Sequence, residues 1–198
     1  MRIKQLTGLV LGSIGPKRGK ELLVQMLLEA AQLPRGKWSV VNQRVYRTRA
    51  RGRTTSGQSP SKGLRTVSVW RCYRNDLDRI SVSISILRFK TNQSALSYLP
   101  VSIDGIVRRP FSKLTISNGK YVMDATIDNV RDVVAYEEDF AGPGGRGTSR
   151  VIAVQVDCYV VVVECSGFEE VLSLESVKAI ASDQADKVRT RLENGSTN

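Results

Sequence analysis

The chain has 198 residues, 41% apolar and 25% charged, which suits one globular domain rather than a fibre or a disordered tail. It holds no histidine and three cysteines, excluding Ser-His and Cys-His nucleophiles, histidine metal sites and a four-cysteine zinc site. The net charge of +11 is lopsided: residues 1–75 carry 16 Lys or Arg against Glu21 and Glu29, and the rest carry 14 against 17 acids.

The chain opens with the charge-then-apolar order of an export signal, Met1 to Lys4 and then Leu6 to Ile14. The apolar run is short, contains Thr7, Gly8, Gly12 and Ser13, and is followed by no clean cleavage site. Residues 1–19 are therefore read as a flexible arm ahead of a single domain at 20–198. Gly12-Ser-Ile-Gly15-Pro-Lys-Arg-Gly19-Lys20 has three residues where a phosphate-binding loop needs four, and Glu21 in place of the magnesium-binding hydroxyl. Gly19 to Gln32 predicts a helix with Leu22, Leu23, Met26, Leu27 and Ala30 on one face, stopped by Pro34 and Gly36.

Trp38 to Thr48 predicts a strand, and Thr66 to Tyr73 a second, with both tryptophans in the core. Between them no acid interrupts the basic run, and about 50–64 reads as a Gly/Ser-rich loop. Arg44, Arg47, Arg49, Arg51, Arg53, Lys62 and Arg65 form the candidate contact with nucleic acid, another polyanion or an anionic surface. Tyr46 is the lone interleaved aromatic, where single-strand binders offer several stacking surfaces.

After a turn at Asn75–Asp78, Ile80, Val82, Ile84 and Ile86 alternate with Ser81, Ser83 and Ser85, a strand with one buried and one wet face. The parity then shifts to Leu87 and Phe89, which predicts a β-bulge near Ile86. Thr91 to Leu99 predicts a short helix capped by Thr91 or Asn92 and ended by Pro100. Asn118-Gly119 predicts a hairpin turn inside Lys113 to Asp124. Val130 to Phe140 and Arg150 to Cys165 predict a long hairpin around Gly142 to Gly147, with Tyr159 to Val163 covered on both faces. Those glycines match a dinucleotide pattern in letters, but they lead into a strand rather than a helix. Within Glu137-Glu138-Asp139, Glu137 and Asp139 converge on one side and Glu138 shares its side with Tyr136 and Phe140. The cluster is read as a solvated edge or a partner for arginines. Asp157, inside an apolar strand, calls for a basic partner or an internal hydrogen bond. A last helix spans about Leu174 to Leu192, capped by Ser173.

The longest apolar stretch, Val151 to Cys165, is broken by Gln155, Asp157 and Glu164 and is shorter than the ~20 residues of a spanning helix. Cys158 and Cys165, read on one strand, would lie about 23 Å apart and cannot pair. Free thiols are expected, and they favour the cytoplasm over export.

The pattern sums to an α+β fold: one mainly antiparallel twisted sheet with N-terminal and C-terminal helices packed on one face. Leu27, Leu28, Ala31, Pro34, Gly36 and Trp38, then Tyr136-x-x-x-Phe140 before a Gly-rich turn, the valine-rich strand, Ser166-Gly167 and a closing helix complete the picture. Over about residues 20–192 this resembles the actinobacterial sensor-like domains found in extracellular parts of receptor kinases and in small lipoproteins. The resemblance implies a non-catalytic role in binding. The expected function is a sensor-like binding or interaction domain, with no enzyme activity, no cofactor, and an unidentified small ligand or protein as partner. Nucleic-acid or polyanion binding through 44–65 is the alternative.

Overall fold

The computed structural model describes residues 16–34, 36–50, 64–75, 79–107, 115–122, 126–128, 130–142, 145–168 and 171–195. In chain order these form α1 (Pro16–Met26), a 3-10 turn (Ala30–Gln32), β1 (Trp38–Ala50), β2 (Leu64–Asn75), β3 (Ile80–Arg88), α2 (Asn92–Val107), β4 (Thr115–Val122), β5 (Val133–Gly142), β6 (Gly145–Val156), β7 (Tyr159–Gly167) and α3 (Leu174–Gly195). The seven strands make one antiparallel sheet in the order β1-β2-β3-β7-β6-β5-β4. The α+β class is as expected. The arm at 1–15, loop residues 51–63 and turn residues 76–78 lie outside the described residues.

Alternation assigns each strand's side chains to two faces. On the inner face Ile80, Val82, Ile84 and Ile86 join Ile152, Val154, Val161 and Val163, and α1 and α3 cover them with Leu23, Met26, Val177, Ile180 and Ala185. The two terminal helices thus share a face. On the outer face Val151, Ala153, Val160 and Val162 are covered by Ala95 and Leu99 of α2, with Phe89 beside them. With helices above and below, Tyr159 to Val163 is buried throughout, as a central strand apolar on both faces requires.

The two layers explain where expectation and structure part. The shift to Leu87 needs no bulge: β3 keeps one register with both neighbours, and Leu87 packs with the outer cluster under α2. Thr91 caps α2, its Oγ1 accepting from Ser94 N–H at 3.1 Å, but the helix continues through Pro100 to Val107. The strand expected from Arg150 to Cys165 is two strands, folded at Asp157-Cys158 with Asp157 at φ 51°. Asp157 is exposed at that turn, not buried in need of a base. Asn118-Gly119 does not turn the chain either; β4 runs straight through it, with a register shift between Ser117 and Lys120.

The helix expected to reach Gln32 ends at Met26, because side chains from elsewhere satisfy the backbone that follows. Gln184 of α3, fully buried, accepts from Leu28 N–H at 2.9 Å and donates to Met26 O. Arg71 and Tyr73 of β2 both donate to Leu28 O. Burial pushes the Tyr73 hydroxyl up to about 12, against the pull of Arg71. The rest of the motif closes the same corner. Trp38 Nε1 donates to Pro34 O at 3.0 Å, and Gly36, at φ +83°, leaves room for the buried Asn75 side chain.

Candidate functional site on the outer face

Beyond the reach of α2's apolar face, the outer surface of the sheet turns polar. Register aligns Glu138, Ser149, Ser166 and Ser81 in one row across β5, β6, β7 and β3. The next row sets Tyr136, Val151, Glu164 and Ser83 side by side. Ser81 and Ser166 share a hydroxyl hydrogen bond at 2.9 Å, and Ser83 Oγ donates to Glu164 Oε2 at 3.2 Å. These serines are the wet face anticipated from the Ser/Ile alternation.

At the β5–β6 end the row is buried and incomplete. Glu138 is 8% exposed and Ser149 3%, and they are direct cross-strand partners. The Tyr136 hydroxyl donates to the Glu138 carboxylate, yet Glu138 Oε2 and Ser149 Oγ have no partner. Buried polar groups are almost always satisfied, so these two orphans on paired residues mark a candidate site. Burial raises the Glu138 carboxyl above its ordinary range, and the charge of Glu164 adds to that, outweighing the Tyr136 bond.

Aromatic rings flank Glu138 on both sides. Tyr136 and Phe140 leave β5 on the same side as Glu138, one before and one after it. Tyr136 meets Tyr121 of β4 edge-on with centroids 5.2 Å apart, and Phe140 meets Phe168 likewise at 5.5 Å. Two glycines make room for the Tyr136 and Phe140 rings. A side chain at Gly147 would strike Phe140 Cζ at 2.5 Å, and one at Gly119 would occupy the place of the Tyr136 hydroxyl. Tyr121 and Phe168 remain exposed as a rim.

The opposite side of β5 is self-contained. Arg150 Nε pairs with Glu137 at 2.5 Å, Lys120 adds a longer contact, and Asp139 accepts from Thr148 and Asn118. Glu137 is thus the arginine partner expected of the acidic cluster, whereas Glu138 is buried, not a solvated edge. The sequence paired Glu138 with Tyr136 and Phe140; its burial depends on β4 shielding β5, which the hairpin reading of Asn118-Gly119 concealed.

The basic residues singled out from the sequence are not gathered here. Arg44 is exposed on β1 opposite Trp70, at the far end of the sheet. Arg47 and Arg49 stand opposite Val67 and Arg65 in the β1–β2 ladder, and Arg51, Arg53 and Lys62 lie outside the described residues. A separate groove of 490 Å³ lies between the start of α2, the β6–β7 turn and the end of α3. It mixes Arg131 and Arg189 with Asp132, Asp157 and Glu193, so no sign of charge dominates it. Among the described residues no group of three or more acids or cysteines is placed to hold a metal ion, and no helix is long and apolar enough to cross a membrane.

No family model matches the chain, and no curated protein matches it in sequence. Its fold is similar to the extracellular domain of PknH from Mycobacterium tuberculosis, with a TM-score of 0.55 and 14% identity over 85% of this chain and 96% of that one. It is also similar to an uncharacterized protein of Mycobacterium smegmatis, the Rv0999 ortholog. There the TM-score is 0.51 at 14% identity, over 85% of this chain and 95% of that one. The resemblance to actinobacterial sensor-like domains therefore holds at the level of fold.

Proposed function

We propose that the chain is a non-catalytic, sensor-like binding domain that takes a small ligand on the outer face of its sheet, between Tyr136, Glu138, Ser149 and Phe140. The carrying observation is the pair of buried, unpartnered groups on paired residues, Glu138 Oε2 and Ser149 Oγ, with two aromatic pairs flanking Glu138. Recognition sites combine apolar walls with a few convergent polar groups, and this corner has both. Similarity in fold to an extracellular domain supports the same reading and favours export over the cytoplasm expected from the free thiols.

The test is a thermal-shift screen of the full chain against a chemically mixed set of small molecules, repeated on Phe168→Ala. Ligands that stabilise the wild type and lose their effect in the variant place binding at this corner. Hits that stabilise both equally refute the location, and a measured turnover abolished by Glu138→Gln refutes the non-catalytic reading.

A further inference from the structure

Resting on that reading, we infer that the group bound at this corner is the primary ammonium of an aliphatic amine, held by Glu138 Oε2 and Ser149 Oγ and flanked by the Tyr136–Tyr121 and Phe140–Phe168 pairs.

The inventory of donors and acceptors points to it. A carboxylate only accepts, and a serine hydroxyl accepts through two lone pairs while donating once. A ligand that serves both groups gives a hydrogen bond to Glu138 and another to Ser149. A primary ammonium has three N–H donors and satisfies both from one atom; a quaternary ammonium has none. An anion would face Glu138 with Glu164 close enough to act on the same carboxyl. A ligand cation would meet no competitor there: among the described residues no ion pair reaches Glu138, and Arg150 and Lys120 are engaged with Glu137.

The rings supply the second half of the site. Alternation along β5 puts Tyr136 and Phe140 each about 7 Å from Glu138 along the strand. Their edge-to-face partners continue the aromatic surface to the solvent-exposed Tyr121 and Phe168. Aromatic faces attract a cation within about 6 Å, and their apolar bodies accept the alkyl chain behind it. A partly desolvated carboxyl gains more from such a partner than one in water, because charge-assisted hydrogen bonds strengthen as solvent is excluded.

The experiment is isothermal titration calorimetry on the full chain with n-butylammonium, tetramethylammonium and 1-butanol at matched ionic strength. Saturable binding of n-butylammonium at least ~tenfold tighter than of either control is expected, since a hydrogen bond to a charged group is worth that much. Glu138→Gln should lose about tenfold or more, and Phe168→Ala, at the exposed rim, several-fold. Glu175→Gln on the exposed side of α3 should change nothing. Binding of 1-butanol equal to that of n-butylammonium overturns the ammonium assignment while the binding site itself survives. Tetramethylammonium binding as well as the primary amine overturns the hydrogen-bonding role of Glu138 and Ser149. No saturable heat with n-butylammonium, or an unaltered affinity in Glu138→Gln, overturns the proposal outright.

Discussion

Glu138 is where the fold and the site pull in opposite directions. Its carboxyl is buried, raised in pKa by that burial and by Glu164, and short of a donor at Oε2. Below the ordinary carboxylate range it is protonated in both the folded and unfolded chain, and folding costs nothing extra. As pH rises, the unfolded chain loses its proton first, so stability falls until the folded group has also ionised, and stays lowered above that. Glutamine at this position never ionises. Glu138→Gln should therefore raise stability at pH 7, with the gain shrinking toward the ordinary carboxylate range, below which glutamate is protonated in both states. Urea midpoints of both proteins at pH 7 and in that range check this, and a variant less stable at pH 7 would contradict it. A residue that lowers stability while the loss of binding follows from its removal is the trade-off expected at a binding site.

At the scale of elements, the site depends on glycines in β4 and β6 more than on any motif. Gly147→Ala would push Cβ onto Gly167 O and Phe140 Cζ, forcing the Phe140 ring off Phe168. The expected cost is about 1–3 kcal/mol, as for overpacking elsewhere. Gly19→Ala, with open space around it in α1, should instead gain about 0.5–1 kcal/mol. Thermal melts of the two variants should move in opposite directions; a stabilised Gly147→Ala would mean that the Phe140–Phe168 pair is not held as described. Local periodicity was enough for the inner face of β3, the β5–β6 hairpin and the face of α3, because each carries its own apolar pattern. It failed where a neighbour decides the outcome. Asn118-Gly119 has turn chemistry, but pairing with β5 keeps β4 extended and leaves only a bulge. Asp157-Cys158 sits in an unbroken β-branched run whose fold-back is fixed by pairing between β6 and β7. Pro100 ends isolated helices, yet α2 continues past it while its preceding turns pack on the sheet. The aromatic bracket around Glu138 was half visible, as Tyr136 and Phe140. Tyr121 lies in β4 and Phe168 just past β7, strands whose order in the sheet no local pattern encodes.

Taken whole, the molecule is a sheet whose charge varies across its width: β1 and β2 carry arginines and no acid, while β4 to β7 carry Glu137, Glu138, Asp139 and Glu164 against Lys120, Arg146 and Arg150. The centre is sealed from both sides, and Cys165 reports on the seal. It lies on the inner face of β7 beneath the terminal helices, fully buried, and burial pushes its thiol up to about 11. Cys72 and Cys158, raised by burial as well, are only half-buried. Since the thiolate is the reactive form, all three should label slowly at pH 8, but by different routes. Cys158 sits at the β6–β7 turn and needs only a local opening. Cys165 needs α1 or α3 to leave the sheet, and the Gln184 bonds to Met26 and Leu28 tie those two helices together. Its labelling rate should thus follow global unfolding, accelerating with urea by the full dependence of the unfolding transition, while that of Cys158 stays nearly flat at low urea. Equal, urea-independent rates at both cysteines would mean that the helical layer opens on its own, and that the inner face is not one cooperative unit with the sheet.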